Sequence, residues 1–346
     1  MHVVDGSQGE GGGQIFRSAL TLSMCRQIPV HIKNIRAGRS KPGLLRQHLV
    51  CLRASQAISD ARISGDELGS TEVIFQPGKV NSGEYHFAIG SAGSTTLVFQ
   101  TILLPLLLAE GTSELSLEGG THNAYAPSFD FLEQTLLPVL AKMGLRVDVA
   151  LERYGFYPAG GGRWRARIFP ANNPQSLELT ERGRLLKTEA MVTSSQLPRH
   201  IGDRELRQVK KKCHWPDENL VYRNVESVGP GNLVSLRVCT EHITEMFEVA
   251  GEKGLTAERV AGRAIKQLSR YLESGVPVGE HLADQLLLPM VLGKGGRFST
   301  VEPSQHLLTN ISILRQLTGT EIEIKNTGNR VWVVEVQSCE NPAHVR

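Results

Sequence analysis

The chain has 346 residues, 40% hydrophobic and 21% charged, with a formal net charge of +3. This is the composition of a folded, soluble protein, and the length exceeds what one compact core holds, so two or three domains are expected. Five scattered cysteines without a Cys-x-x-Cys pair argue against a disulfide framework or a zinc site, and for a reducing, cytoplasmic compartment. The N-terminus lacks a charged-then-apolar signal pattern. The most apolar run, 97–109, is interrupted by Gln100 and Pro105 and is too short to span a bilayer, so no membrane partner is expected.

In chain order, the first informative stretch is Gly6-Ser-Gln-Gly-Glu10-Gly-Gly-Gly13-Gln14, which opens into a run that reads as a helix with Ile15, Leu20 and Leu22 on its apolar side. Glycine is costly to order and packs nothing, so such a run belongs where the backbone needs positive φ or close approach. A glycine-rich turn at a helix start presents free N–H groups, which suit a phosphate. Glu10 lies inside the loop, and a carboxylate beside phosphates calls for a divalent cation, commonly Mg²⁺. A tight strand-to-helix turn without ligand remains open, because the dinucleotide and P-loop spacings are both absent. From Glu10 to Asp60 there is no further acid, while Arg17, Arg26, Lys33, Arg36, Arg39, Lys41, Arg46 and Arg53 all fall there. In a stretch rich in Gly, Ile and Leu, that reads as a folded surface holding several negative charges.

A rhythm then repeats. A glycine-rich loop followed by a helix is expected at 11–23, at 90–108 and at 279–290, each followed by a second amphipathic helix at 42–58, 128–143 and 304–317. Alternating runs at 30–35, 72–76, 86–89, 114–117, 147–151, 164–169, 321–325 and 331–336 read as strands. Three such units give an internally repeated α/β domain. The spacing breaks between the second and third. The intervening stretch carries its own pattern: strands at 187–194, 233–239 and 244–249, with helices at 200–212 and 256–273. That suffices for a small α/β domain. Its first helix is basic (Arg204, Arg207, Lys210, Lys211, Lys212) and reads either as a polyanion contact or as a solvated face.

Near the C-terminus, Pro303-Ser304-Gln-His306 places a good N-cap before a helix, so His306 falls in its first turn. There the helix dipole disfavours the imidazolium, and a neutral imidazole is a nucleophile or a base. By itself the position also reads as a surface or capping histidine.

Five segments in one order decide what surrounds it. Gly9-Glu-Gly-Gly-Gly-Gln14-Ile-Phe-Arg17, Ile35-Arg36-Ala-Gly-Arg39-Ser-Lys41-Pro-Gly-Leu-Leu-Arg46-Gln47-His48, Phe87-Ala-Ile-Gly-Ser-Ala-Gly-Ser94, Gly155-Phe-Tyr-Pro-Ala-Gly-Gly-Gly162 and Pro303-Ser-Gln-His306-Leu-Leu-Thr-Asn310 closely resemble the RNA 3′-terminal phosphate cyclases, over nearly the whole chain. The resemblance implies an α/β fold of three repeated βαβαββ-type units forming a large domain (1–183 and 280–346), as in the enolpyruvyl transferases, with a small α/β domain (184–279) inserted before the last unit. It implies ATP as co-substrate, an RNA 3′-terminal phosphate as acceptor, a histidyl-AMP enzyme and a 2′,3′-cyclic product.

By the same resemblance His306 is the nucleophile and Glu10 holds Mg²⁺ or Mn²⁺ over the ATP phosphates. Arg17, Arg36, Arg39 and Gln47 line the phosphate route, and Gln100, Pro127, His281, Leu282, Ala283, Asp284 and Gln285 hold adenine and ribose. Several of these also have plain structural readings. Asp284 and Gln285 could cap a helix, Pro127 could start one, and Gln100 needs a buried partner that is either ligand or protein. His48 and His122 read as structural. One position departs from the pattern: 281 is His where family members often carry Tyr, which bears on how the base is gripped. Two other readings are a non-catalytic relative serving ribosome assembly and an enolpyruvyl transferase; neither needs a nucleophilic histidine.

Overall fold

A computed structural model describes residues 1–9 and 11–338 of the chain. The first part runs β1 (His2–Asp5), α1 (Gly13–Arg26), β2 (Val30–Lys33), α2 (Arg46–Ser59), β3 (Arg62–Ser64) and β4 (Val73–Gln76). These strands form one sheet in the order β1-β2-β4-β3, with β1 parallel to β2 and the other pairs antiparallel. Then come β5 (Glu84–Ala88), α3 (Thr95–Leu107), β6 (Ser113–Gly119), a helix running from α4 (Phe129–Phe131) through a π turn (Leu132–Leu136) into α5 (Leu137–Lys142), β7 (Val147–Arg153) and β8 (Gly162–Ile168). Their sheet, β5-β6-β8-β7, repeats the same sequence of one parallel and two antiparallel pairings.

The chain continues with β9 (Leu177–Leu179), then β10 (Leu185–Ser195), α6 (Arg199–Cys213), β11 (Leu220–Asn224), β12 (Gly231–Thr240), β13 (Thr244–Ala250) and α7 (Ala257–Ser274). It ends with α8 (Glu280–Leu292), β14 (Gly296–Thr300), α9 (Gln305–Thr318), β15 (Ile322–Gly328) and β16 (Val331–Val336). β10 to β13 make their own sheet, β11-β10-β12-β13. β9 crosses that stretch to lie parallel to β14 and completes a sheet β9-β14-β16-β15, again one parallel and two antiparallel pairings. The fold is α/β, built of small mixed sheets and helices. Among the described residues no helix is long and apolar enough to cross a membrane.

Two apolar clusters hold these layers. The larger joins α1, α2, α3, α8 and α9 to three sheets, with Phe16, Leu20, Leu52, Phe99, Trp164, Leu286, Phe298 and Leu314 fully buried. Phe99 and Phe129 stand edge-on to Trp164 at 5.0 and 5.4 Å, and the indole N–H donates to Thr95 Oγ1 at 2.8 Å, so its polar handle is satisfied inside the core. The smaller cluster centres on Val192, Leu236, Ala264, Leu268 and Tyr271, within β10 to α7.

Two differences from the sequence reading concern the elements near the site. α2 begins at Arg46 rather than 42, because Gly43 sits at φ +77° with its N–H on Ile35 O, where a Cβ would meet Gly69 O at 2.2 Å. β9 and β14 were not anticipated: each is short, and β9 is joined to its partner across 184–279.

Candidate functional site

The site is built where two helix starts meet. α9 opens on Ser304, whose Oγ accepts the Leu307 N–H at 3.2 Å, and this puts His306 in the first turn as expected. α1 opens on Gly12, which has no capping side chain, so the first turn of α1 keeps its N–H groups open to the loop before it. The two helices pack together and are pinned by Ser18 Oγ donating to Asn310 Oδ1 at 2.9 Å. Gln14 and His306, one in each first turn, therefore face one another. His306 Nδ1 donates to Gln14 Oε1 at 3.0 Å, and Gln14 Nε2 donates to Asp284 Oδ2 at 3.0 Å. An amide oxygen only accepts, so this bond assigns the proton to Nδ1 and leaves Nε2 with its lone pair.

The charges around the ring favour its neutral form. His306 has its pKa below the ordinary imidazole value, first through loss of hydration in the cleft, then through the Arg17 and Arg39 cations, with Glu280 opposing. The expected helix dipole acts in the same sense. His281 is lowered too, by burial first and by the neighbouring His306 last, with Glu280 opposing. Asp284 is pushed up to about 7 by burial, against Arg17 and the Gln14 amide. Its backbone carbonyl accepts Asn310 Nδ2 at 2.9 Å, which ties α8 to α9.

Arg17 comes up against the glycine loop. A Cβ on Gly13 would stand 2.8 Å from one Arg17 guanidinium nitrogen and 2.5 Å from His48 Nε2. Burial lowers the Arg17 pKa, partly offset by Cys51 and Asp284. An anion arriving there relieves a desolvated cation. His48 is structural in its contacts: its Nδ1 accepts the Leu45 N–H at 3.2 Å, and burial with the nearby Arg17 and Arg36 takes its pKa to about 3. His122, likewise buried, bonds Thr121 Oγ1 at 2.7 Å and stands 3.5 Å from Asp130.

These groups open on one cavity of about 870 Å³. Gln14, Arg17, Arg39, Gln100, Pro127, His281, Asp284, Gln285 and His306 all line it. Gln100 finds its partner in the protein, donating to Gln285 Oε1, and Gln285 in turn donates to His281 O at 2.6 Å. Pro127 stands just before Ser128, the N-cap of α4, and its carbonyl accepts Thr96 Oγ1 at 2.7 Å.

Four expected positions are not on the cavity wall. Arg36, at φ +56°, donates to Lys41 O at 2.6 Å and Gly43 O at 3.0 Å and so closes its own loop. Gln47 Oε1 accepts the Ser94 N–H at 2.9 Å, bracing the start of α3. Leu282 and Ala283 lie on the core side of α8. Glu10, expected to hold a metal, lies outside the described residues. Among the described residues no group of three or more His, Cys, Asp or Glu is placed to cage a metal ion.

The sequence reading gave no role to Gln14 or Asn310. Both stood inside quoted motifs, and Asn310 follows His306 by one helical turn on the same face, which is the signal that could have found it. It also passed over Arg263, Lys266 and Arg270 of α7, which line the far side of the cavity.

Residues 8–324 match the model described as RNA 3′-terminal phosphate cyclase, which is nearly the whole chain. The chain belongs to the RNA 3′-terminal phosphate cyclase family.

Proposed function

We propose that this protein converts the 3′-terminal phosphate of an RNA into a 2′,3′-cyclic phosphodiester at the expense of ATP. Family membership supports the cyclisation itself. The observation that carries the mechanism is the His306–Gln14 bond beside Arg17, which places the Nδ1 proton on the amide and favours the uncharged ring. Nε2 attacks the α-phosphorus of ATP: an N–P bond forms, the α–β P–O bond breaks, and pyrophosphate leaves with the electron pair. An oxygen of the RNA 3′-phosphate then attacks the same phosphorus, and the N–P bond breaks, returning its pair to the imidazole. Last, the vicinal 2′-hydroxyl attacks the 3′-phosphorus: an O–P bond forms, the P–O bond to the AMP phosphate breaks, and AMP leaves with the electron pair, the hydroxyl proton passing to its phosphate or to water.

A phosphate monoester is a poor electrophile because its oxygens keep their charge and none leaves readily. Joining it to AMP supplies the leaving group, so ATP cleavage drives ring closure. Arg17 and Arg39 offset the anionic charge that gathers around the ring, as a guanidinium fork suits phosphate. Gln100, Pro127, His281, Asp284 and Gln285 hold the nucleoside in this reading, with Leu282 and Ala283 anchoring that turn of α8 in the core and Arg36 and Gln47 shaping the loops behind the phosphates. A divalent cation, Mg²⁺ or Mn²⁺, belongs to the same proposal and rests on Glu10; one carboxylate with substrate phosphates is an ordinary way to hold Mg²⁺. No step above runs through it. We also infer that the three like-paired sheets are copies of one βαβαββ-type unit (1–183 and 280–346) and that 184–279 is an inserted domain. The shared pairing order and the separate apolar cluster support both.

The test is incubation with α-labelled ATP and metal. Label stays on the wild-type chain and is lost in His306→Ala; equal labelling of the two sinks the assignment, and no labelling of either favours the non-catalytic relative. An RNA with a 3′-phosphate and a 2′-deoxy terminus stops at the adenylylated end. AMP release from it as fast as from normal RNA contradicts the last step.

A further inference from the structure

The cavity has a second wall whose chemistry the steps above do not use. Arg263, Lys266 and Arg270 project from one face of α7 into it, spread over about 10 Å of helix. All three are exposed. Arg263 stands 4.0 Å from Glu252; among the described residues Lys266 and Arg270 have no carboxylate at ion-pair distance. The other carboxyls on the cavity, Glu248, Glu280 and Asp284, stand at ion-pair distance from neither Lys266 nor Arg270. Glu248 is half-buried, loss of hydration raises its pKa, and it accepts the hydroxyls of Ser128 and Ser235, each at 2.9 Å. The loop 123–127 also lines the cavity, and there Tyr125 is 97% exposed at φ +61°. A left-handed backbone is uncommon for a bulky residue, and a fully exposed aromatic ring gains nothing from burial there. The basic face of α6 differs. Arg204 is bonded to Glu258 at 2.7 and 2.8 Å and Lys210 to Asp217 at 2.6 and 2.7 Å, and the helix is not on the cavity.

We propose that the single strand leading to the RNA 3′ end leaves the cavity between Tyr125 and α7, with a base stacked on the Tyr125 ring and backbone phosphates against Lys266 and Arg270. This rests on the reading that an RNA 3′-phosphate is the substrate. Two cations with no carboxylate at ion-pair distance, on the same cavity as an exposed aromatic, are what a strand needs for grip without sequence preference. The ATP triphosphate is compact and belongs at the His306 end, so it does not call for charges strung along a helix.

The experiment measures binding of a fluorescent single-stranded RNA of about 15 nucleotides with a 3′-phosphate to the full chain, without ATP, over a range of salt. Lys266→Ala with Arg270→Ala raises Kd about tenfold and flattens the slope of log Kd against log salt by about 1.4, two contacts at ~0.7 each. Tyr125→Ala raises Kd about fivefold or more, and Tyr125→Phe restores it, because stacking needs the ring and not the hydroxyl. Arg207→Ala with Lys211→Ala on α6 leaves Kd unchanged. Wild-type affinity in both the α7 and Tyr125 variants overturns the proposal, as does loss confined to the α6 variant. Weaker labelling by ATP with RNA affinity intact also overturns it, and makes the wall part of the nucleotide site. Failure of the catalytic reading is separate: the wild-type chain then takes no label from ATP, whatever α7 does to RNA binding.

Discussion

Gln14 Oε1 lies 3.0 Å from His306 Nδ1, and the other end of the same amide donates to Asp284. The amide therefore orients the imidazole and selects its tautomer, as a buried carboxylate does in a hydrolase triad, but without adding charge. Gln14→Ala should lower the rate of chain labelling by α-labelled ATP about a hundredfold while leaving the melting temperature close to wild type. Gln14→Glu places a carboxylate against Nδ1 and stabilises the imidazolium, so the acid limb of the labelling rate should move to higher pH. An unchanged rate and pH profile in both variants would remove Gln14 from the mechanism.

The ring's pKa gives a second prediction. His306 titrates below its ordinary 6.5, with Arg39 among the causes. Labelling needs the neutral ring, so the acid limb for wild type should have its midpoint below 6.5. Removing a cation that lowers the pKa must raise it. Arg39→Ala should therefore lose more activity at pH 6 than at pH 8, relative to wild type, and an equal loss at both would show that Arg39 acts only by contact.

Two glycines separate activity from stability. At Gly13 the added methyl meets side-chain ends, Arg17 and His48, on an ordinary helical backbone. Gly13→Ala should fold and lose labelling activity by displacing the guanidinium. At Gly43 the methyl meets Gly69 backbone at 2.2 Å with φ at +77°. Gly43→Ala should lose about 2 kcal/mol or more of stability, read by denaturant unfolding. The reverse ranking would mean that the glycine loop does not position Arg17.

A buried acid away from His306 predicts a pH-dependent stability. Glu245 Oε1 accepts the Gly279 N–H at 2.6 Å, and burial lifts its pKa from 4.5 to about 8. The folded chain thus keeps a proton that the unfolded chain releases near 4.5. That contribution is complete below 4.5 and is lost as pH rises through about 8. Gln cannot ionise and keeps the acceptor, so Glu245→Gln should melt a few degrees above wild type at pH 9 and close to it at pH 5. A gap that does not widen with pH would place the ionised form in the fold without penalty.

The readable parts of this molecule are the local ones. The Ser304 cap and the place of His306 one turn into its helix follow from four adjacent residues, and the paired helices follow from their glycine breaks and apolar spacing. Pairing across distance is what escaped. β9 is three residues with no visible partner until it meets β14, and the Gln14–His306 bond joins positions 292 apart. Arg36 shows the limit for charge: an acid-free basic block marks the surface, but which guanidinium turns inward depends on carbonyls such as Gly43 O that only the loop conformation supplies. The α7 cations were legible as one helical face but had no meaning until the fold set that face on the cavity.

The distance between Gln14 and His306 along the chain also has a consequence for biosynthesis. The glycine loop leaves the ribosome 292 residues ahead of the imidazole, and β9 must wait through all of 184–279 for β14. The Gln14–His306 bond therefore cannot form until residue 306 has been made, and a chain cut short before it keeps the glycine turn without its partner.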